Sequence, residues 1–401
     1  MNVLYVSLFA PYDGVNHAGG KTLNYYINHM IDCNDSNVDV VTFCTKEEKE
    51  KLLNQKKRSN VYPITYNWFI ERLGIVYPKI FVNYSKTDFS LYLTYRLKKE
   101  LRKLSEKNKY DVIFLEWTHM VLHIKEIKQF FPSAKIIASE VDVAYQGVYR
   151  KYYNEKNFIK KSYKKKCAVN AKKRELDALM CADSIFVQSD KDMNLLTQEG
   201  VSKNKINIMI PFYHEIKGER KQTLSNNLIF WGQMSRMENE DAAIWFIQNV
   251  MPRISDLNCK FVVAGANPSN KLLKMQSDNV IVTGFVKDLS SLFYEADLFV
   301  CPLRFGAGIK VKVIEAMYTG IPVLTTEVGI EGIPCVNNRD YTLCDNEEDY
   351  IKAIREYYND NSKYLIIGKN GQEIIQQQFL LSKSFDEYYS VIKKLVREEE
   401  N

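Results

Sequence analysis

Residues 296–333, ADLFVCPLRFGAGIKVKVIEAMYTGIPVLTTEVGIEGI, leave the chain little choice of local fold. Residues 298–303 are an apolar run of strand length, and the glycines of Arg304-Phe-Gly-Ala-Gly308 permit the close turn that follows. Residues 310–319 then carry apolar side chains at helical spacing, with Gly320 just past their end and Pro322 beyond it. Residues 323–326 are β-rich again. Strand, glycine turn, helix, strand is the repeating unit of an open α/β sheet. Lys310 and Lys312 both fall in the expected first helical turn, where the macrodipole favours acidic residues. Unpaired backbone N–H groups, a loop open to close approach and two ammonium groups add up to an anion site, and a nucleotide diphosphate fits it. Lysines so placed also serve simply as solvated surface charge, so the rest of the chain has to decide.

At 401 residues the chain exceeds one ordinary hydrophobic core and divides into two domains. An apolar fraction of 46% with 26% charged residues is that of a water-soluble globular protein, and a net charge of +6 gives no reason to expect nucleic acid as a partner. Eight cysteines, none in a C-x-x-C pair and several inside apolar runs, read as free, mostly buried thiols of a reducing compartment. Five scattered histidines without an H-E-x-x-H pattern build no zinc site. The opening MNVLYVSLFAP has no basic leader or cleavage site and reads as a first strand. No apolar segment is long enough to span a membrane.

Residues 3–9 form a buried-type strand, followed by a loop ending in Gly19-Gly20 and a helix over residues 21–30. Such a loop sits at the carboxyl end of its strand, where open α/β sheets bind ligands, so His17, Gly19 and Gly20 are candidates for touching a substrate. Residues 38–44 are the second strand, residues 61–92 are aromatic and irregular, and residues 90–106 read as a helix. Two further buried strands end in Glu116-Trp-Thr-His119 and in Glu140-Val-Asp142. Carboxylates and a histidine at the carboxyl ends of adjacent parallel strands share one crevice, which adds His119, Glu140 and Asp142 to the candidates, although acids there often only cap helices.

Residues 150–174 carry eleven Lys or Arg against the single acid Glu155, with Tyr152, Tyr153, Phe158 and Tyr163 interleaved. That excess is larger than a solvated helical face needs, and the aromatics suit a helix resting on anionic lipid headgroups. A helix over residues 171–180 and a strand over residues 183–188 follow. The Lys-, Asn- and Glu-rich residues 201–222, with Pro211, read as the crossing between a domain of residues 1–205 and one of residues 206–383. The second series repeats the pattern, with strands at 228–231, 260–264 and 280–282 and helices at 241–250 and 289–296. A last helix over residues 384–397, with an apolar stripe of Phe385, Tyr388, Tyr389, Ile392 and Leu395, is expected to pack back onto the first domain.

Two consecutive α/β domains with glycine turns at their strand ends look like the GT-B architecture, two Rossmann-like domains facing across a cleft. The second half is more specific. Phe230-Trp-Gly232-Gln-Met234, Asn239-Glu-Asp-Ala-Ala-Ile-Trp245-Phe246, Thr283-Gly-Phe-Val-Lys-Asp288, Glu295-Ala-Asp297, Gly306-Ala-Gly-Ile-Lys310 and Glu315-Ala-Met-Tyr-Thr-Gly-Ile-Pro322 resemble glycosyltransferase family 4 in order and spacing, over residues 226–335. The first half resembles it only through its Gly-Gly loop and strand-end acids.

The resemblance implies a retaining transferase that takes a nucleotide-sugar donor in the C-terminal domain and a glycan or lipid-linked acceptor in the N-terminal one. Cell-surface polysaccharide synthesis at the cytoplasmic face of the membrane is the implied setting, with residues 150–174 as the membrane contact. Glu315 is then the ribose partner, and Gly284 with Phe285 holds the base. Gly232 and Arg236 lie beside the diphosphate, Arg236 being suited to fork onto phosphate oxygens. Gly308, Lys310 and the helix start stabilise the departing nucleoside diphosphate, which makes Lys310 and Arg236 the catalytic candidates. Lys312 is left to pair with Glu315 three residues on. No cofactor and no bound metal are implied.

Two positions depart from the commoner pattern. Ala307 stands where the first carboxylate of a Glu-x7-Glu signature belongs, and Asp241 stands where a second phosphate-binding lysine is usual. Both changes fit a subgroup with a G-x-G-x-K-x-K turn. Other readings stay open: another GT-B enzyme, namely a sugar-nucleotide epimerase or an inverting transferase whose base is His17, His119, Glu140 or Asp142. A catalytically inactive scaffold partner of a glycosyltransferase is the third.

Overall fold

The computed structural model describes residues 1–15, 18–33, 35–55, 60–66, 91–220 and 223–397. The chain forms two compact units, Met1–Phe212 with the segment from Leu381 onward, and Tyr213–Leu380. The first unit is built on seven strands: β1 (Asn2–Ser7), β2 (Asn37–Cys44), β3 (Asn60–Thr65), β4 (Val112–Glu116), β5 (Lys135–Glu140), β6 (Ser184–Val187) and β7 (Ile206–Ile208). They pair in parallel in the order β3-β2-β1-β4-β5-β6-β7. Continuous apolar runs suit strands covered on both faces, and alternate residues here do enter two separate cores. Leu4, Val6, Ile113, Leu115, Ile136 and Ile185 face one. Val3, Tyr5, Val112, Phe114, Ile137 and Phe186 face the other.

That second core is completed by the helix Leu381–Arg397, whose Phe385, Tyr388 and Ile392 are buried in it. Tyr388 hydroxyl lies 2.8 Å from that of Tyr5, and Ser384 Oγ joins Tyr26 hydroxyl at 2.6 Å and accepts from Ile210 N at 3.1 Å. The division between units falls after Phe212, seven residues beyond the boundary expected at residue 205, because β7 still pairs with β6. β3 lies inside the stretch read as irregular; Pro63 disguises it and is tolerated because β3 is an edge strand. Residues 67–90 of that aromatic stretch lie outside the described residues.

The second unit has six parallel strands, β8 (Asn227–Trp231), β9 (Lys260–Ala264), β10 (Val280–Gly284), β11 (Leu298–Cys301), β12 (Val323–Thr325) and β13 (Thr342–Leu343). Their order is β10-β9-β8-β11-β12-β13, so each unit counted from its own first strand has the doubly wound order 3-2-1-4-5-6, which the first unit extends by β7. Two helices begin at the central edge of this sheet. Met237–Asn249 leaves β8, beginning four residues before the helix expected there, and Val311–Tyr318 follows β11 with Lys310 as its flanking N-cap residue.

Tyr388 is fully buried against Tyr26, Phe114 and Phe186. Tyr388→Ala is therefore expected to destabilise the first unit by about 3–5 kcal/mol, the usual cost of removing a buried ring, read as a lower urea midpoint. Tyr388→Phe, which loses only the hydroxyl contact, should cost about 1 kcal/mol.

Candidate functional site

In the second sheet the strand order reverses between β8 and β11, and the loops leaving these two strands part to opposite faces. The crevice between them is where the motifs of the second half converge. Three loops at this edge are stitched by their backbones: Gly232 N donates to Ala264 O at 3.0 Å, Met234 N to Ala266 O at 2.9 Å and Gly265 N to Gly284 O at 2.8 Å. Gly265 has φ +146°, and a Cβ there would lie 1.6 Å from Gly232 O, so no other residue fits. Beyond β11, Gly306 and Gly308 at φ +143° and +70° turn the chain back toward Lys310. Thr326 Oγ1 donates to Leu303 O at 2.6 Å and fixes the start of this loop to the end of β12.

Glu315 is 2% exposed. Its Oε1 accepts from His214 N at 3.2 Å and lies 2.8 Å from His214 Nδ1, while Oε2 accepts from Trp231 Nε1 at 3.1 Å. A carboxylate has about four acceptor positions, and three of them are taken by these contacts. The pairing of Lys312 with Glu315 that sequence spacing suggests does not occur. Lys312 Nζ instead donates to Asn239 Oδ1 and stands 5.1 Å from the centroid of the Phe230 ring. Burial pushes Lys312 down to about 8, helped by Arg236 and Lys310 and opposed by Cys301 and Glu238.

Lys310 points back into its own turn. Its Nζ donates to Gly308 O at 2.5 Å and Ala307 O at 3.3 Å and lies 3.7 Å from Glu331. Arg236, the N-cap residue of Met237–Asn249, is 64% exposed and paired with Glu238 at 2.5 Å. Asp241 takes Arg304 in a two-point contact at 2.9 and 2.6 Å, which joins that helix to the loop after β11. Gly284 ends β10 with φ +69°, and Phe285 beyond it is 74% exposed. The structure thus gathers Gly232, Arg236, Lys310, Gly308 and Glu315 at one strand edge, with Gly284 and Phe285 reached through Gly265. His214 and Trp231 are the additions. Trp231 carries a faint signal as the polar-tipped end of an apolar strand, whereas His214 sits in an irregular segment that gives none.

In the first unit His17 lies outside the described residues. Gly19 and Gly20 are not in a loop, as expected, but inside the first turn of the helix Ala18–Asp32. A Cβ on Gly19 would meet the Trp117 ring at 2.6 Å, so this glycine lets the helix pack on Trp117. Trp117 itself has φ 69°, a strained value for a side chain this size, costing about 1–3 kcal/mol. His119 follows in the short helix Thr118–Val121.

Glu140 is buried rather than open to a crevice: it accepts from Thr118 Oγ1 at 2.5 Å, and its Oε1 has no partner. Burial, then Glu175, pushes its carboxyl well above the usual range, and Asp142 and Asp192 act the same way. Burial pushes Glu175 up to about 8, against the N–H groups of Ala144 and Tyr145 that it accepts at 2.9 Å. Sequence reasoning misses Glu175, although it lies on the apolar stripe of Ala171, Ala178 and Leu179 at helical spacing. Among the described residues no group of three or more His, Cys, Asp or Glu is arranged to hold a metal ion. The eight cysteines are free thiols.

Glu116, at the end of β4, is pushed up to about 7 by burial, from 4.5. A carboxyl raised on folding stabilises fully below its unfolded pKa and loses that contribution as pH rises through the folded one. Between pH 4.5 and 8 the wild type should therefore lose about 3 kcal/mol that Glu116→Gln keeps. Urea midpoints of both proteins at the two pH values measure it, since Glu140 and Glu175 contribute equally to each.

Residues 225–360 match the family model described as Glycosyl transferases group 1. A Klebsiella pneumoniae protein described as an uncharacterized 44.6 kDa protein in the cps region is 22% identical over 404 residues, covering 96% of this chain and 98% of that protein. Among solved structures, Anabaena HepE in complex with UDP is similar with a TM-score of 0.68 at 14% identity, covering 98% of this chain and 100% of that one. Sucrose-phosphate synthase from Thermosynechococcus elongatus is similar with a TM-score of 0.71 at 16% identity, covering 99% of each. At such identities the structures speak for the fold, while the family match falls on the half that carries the strand-edge cluster. Fold and domain match together make the chain a glycosyltransferase of GT-B architecture.

Proposed function

We propose that the chain transfers a sugar from a nucleotide-sugar donor to a glycan or lipid-linked acceptor, with retention of anomeric configuration, in cell-surface polysaccharide synthesis. The observation that carries this reading is the gathering of Gly232, Arg236, the Gly306–Gly308 turn and Glu315 at the switch point of the second sheet. In this reading Glu315 accepts one ribose hydroxyl, oriented by His214 and Trp231, and Gly284 with Phe285 holds the base. The exposed Arg236 exchanges its partner Glu238 for phosphate oxygens. The glycine turn, braced by Lys310, presents backbone to the departing nucleoside diphosphate, and no metal or cofactor takes part. HepE has been seen with UDP and with UDP-glucose, so a UDP-sugar is the first donor to test. The cps-region relative supports polysaccharide synthesis as the setting.

The acceptor belongs to the first unit in this reading, near the carboxyl ends of β1, β4 and β5, with Gly19, Gly20, His119 and Asp142 as its surroundings. The chain works at the cytoplasmic face of the membrane. Its basic residues 150–174 fall on the helices Ala144–Tyr153 and Phe158–Leu179, where Phe158 and Ile159 are 86% and 79% exposed among lysines. No described helix is long and apolar enough to cross a membrane. The alternative reading is an inverting transferase, whose general base would come from the strand-end groups of the first unit.

Product analysis by NMR decides between the two, with a retained anomeric configuration expected. Glu315→Gln, which keeps the shape of the side chain, should lower turnover by roughly 10- to 100-fold, the worth of one charge-assisted hydrogen bond; undiminished turnover would remove Glu315 from the site. Full-length protein should sediment with phosphatidylglycerol vesicles and not with phosphatidylcholine ones. Phe158→Ser with Ile159→Ser should weaken that binding, as should 0.5 M salt.

A further inference from the structure

We propose that Lys312, and not Lys310, is the ammonium group that engages the diphosphate of the donor; the inference rests on the nucleotide-sugar reading above. Both lysines flank the same helix start, but their surroundings differ. Lys310 has its charge matched by Glu331 at 3.7 Å and two of its hydrogens placed on Ala307 O and Gly308 O. It closes the glycine turn and is occupied in doing so.

Lys312 has no such match. Among the described residues no carboxylate pairs with it; its partners are the amide oxygen of Asn239 and the face of Phe230. Asn239 is itself buried and fixed, because its Nδ2 donates to Gln233 O at 2.8 Å, so its oxygen is aimed at the lysine. A Cβ on Gly232 would lie 2.8 Å from Lys312 Nζ, which puts the ammonium directly over the glycine that ends β8. A half-buried cation that the chain has supplied with dipoles and a ring, but no anion, is set to receive one. The charged groups facing it are Arg236 and Glu238 from the start of Met237–Asn249, Lys310 from its own loop and the Cys301 thiol from β11. Glu238 is already held by Arg236 at 2.5 Å.

Asp241 removes a competing cation. This carboxylate and Arg304 neutralise each other, so the later part of that helix start brings no free positive charge to the crevice. Lys312 reaches the same strand edge from the neighbouring helix. An anion of two or more charges held against backbone N–H groups, a nucleoside diphosphate, is the ligand class that fits.

Calorimetric titration of the full-length protein with UDP, GDP and ADP, and with the matching nucleosides, tests this. Lys312→Met is expected to lower affinity for the diphosphate by roughly tenfold or more while leaving nucleoside binding unchanged. Lys310→Met should change diphosphate affinity less than Lys312→Met does. The lysine is depressed to about 8, so binding near pH 8 by the wild type should take up protons, seen as a buffer-dependent heat that Lys312→Met lacks. Removing an unmatched buried charge should not lower the melting temperature, and Lys312→Gln provides a second variant of similar length. Wild-type binding with both Lys312 variants within twofold of it overturns the inference alone. Binding of no nucleoside diphosphate by the wild type overturns the nucleotide-sugar reading, and the inference with it.

Discussion

Reversal of strand order between β8 and β11 is the constraint on which the second unit depends. Parallel strands need crossovers, and right-handed crossovers on the two sides of this point must cover opposite faces of the sheet. The edge between them cannot be roofed by either helix. The glycine turn after β11 is therefore left partly exposed. Gly265 pressed against Gly232 O holds this edge to the ends of β9 and β10, so the crevice keeps its shape without side chains of its own.

Charge in that crevice is distributed by pairing rather than by number. Arg236 has Glu238, Arg304 has Asp241 and Lys310 has Glu331. The first two pairs cost little to keep at partly exposed positions, whereas Lys310 and Glu331 are nearly buried, 10% and 12% exposed. Glu315 shows the same economy from the acid side: it is buried, yet three donors from His214 and Trp231 make it tolerable there.

Much of the fold can be read from the chain because its strands are the buried, continuous kind. The run before Glu116, the run before Gly232 and the run before Pro302 each announce a strand, and the glycines after them announce the edge. β3 escapes because Pro63 argues against a central strand and says nothing against an edge. The strand-edge cluster is legible in residue type and order, but not in which group each lysine pairs with. Local spacing sends Lys312 toward Glu315, and only packing shows that Glu315 is filled from Trp231 and from His214, which is a hundred residues away along the chain. In the first unit the strand-end acids are legible, but not that Glu140 turns inward beside Glu175. Which of two faces a strand-end side chain takes is decided by a helix thirty residues later.

The last helix has a consequence for how the protein is made. The face of the first sheet that bears Tyr5, Phe114 and Phe186 is closed by Phe385, Tyr388 and Ile392, which are synthesised only after the whole of the second unit. The second unit is a continuous stretch and can complete its core as it leaves the ribosome, whereas the earlier-made first unit has to wait with an aromatic face uncovered. That face of the first unit can thus be closed only after the second unit has been synthesised. A chain ending near residue 380 would lack the helix that closes this face of the first sheet.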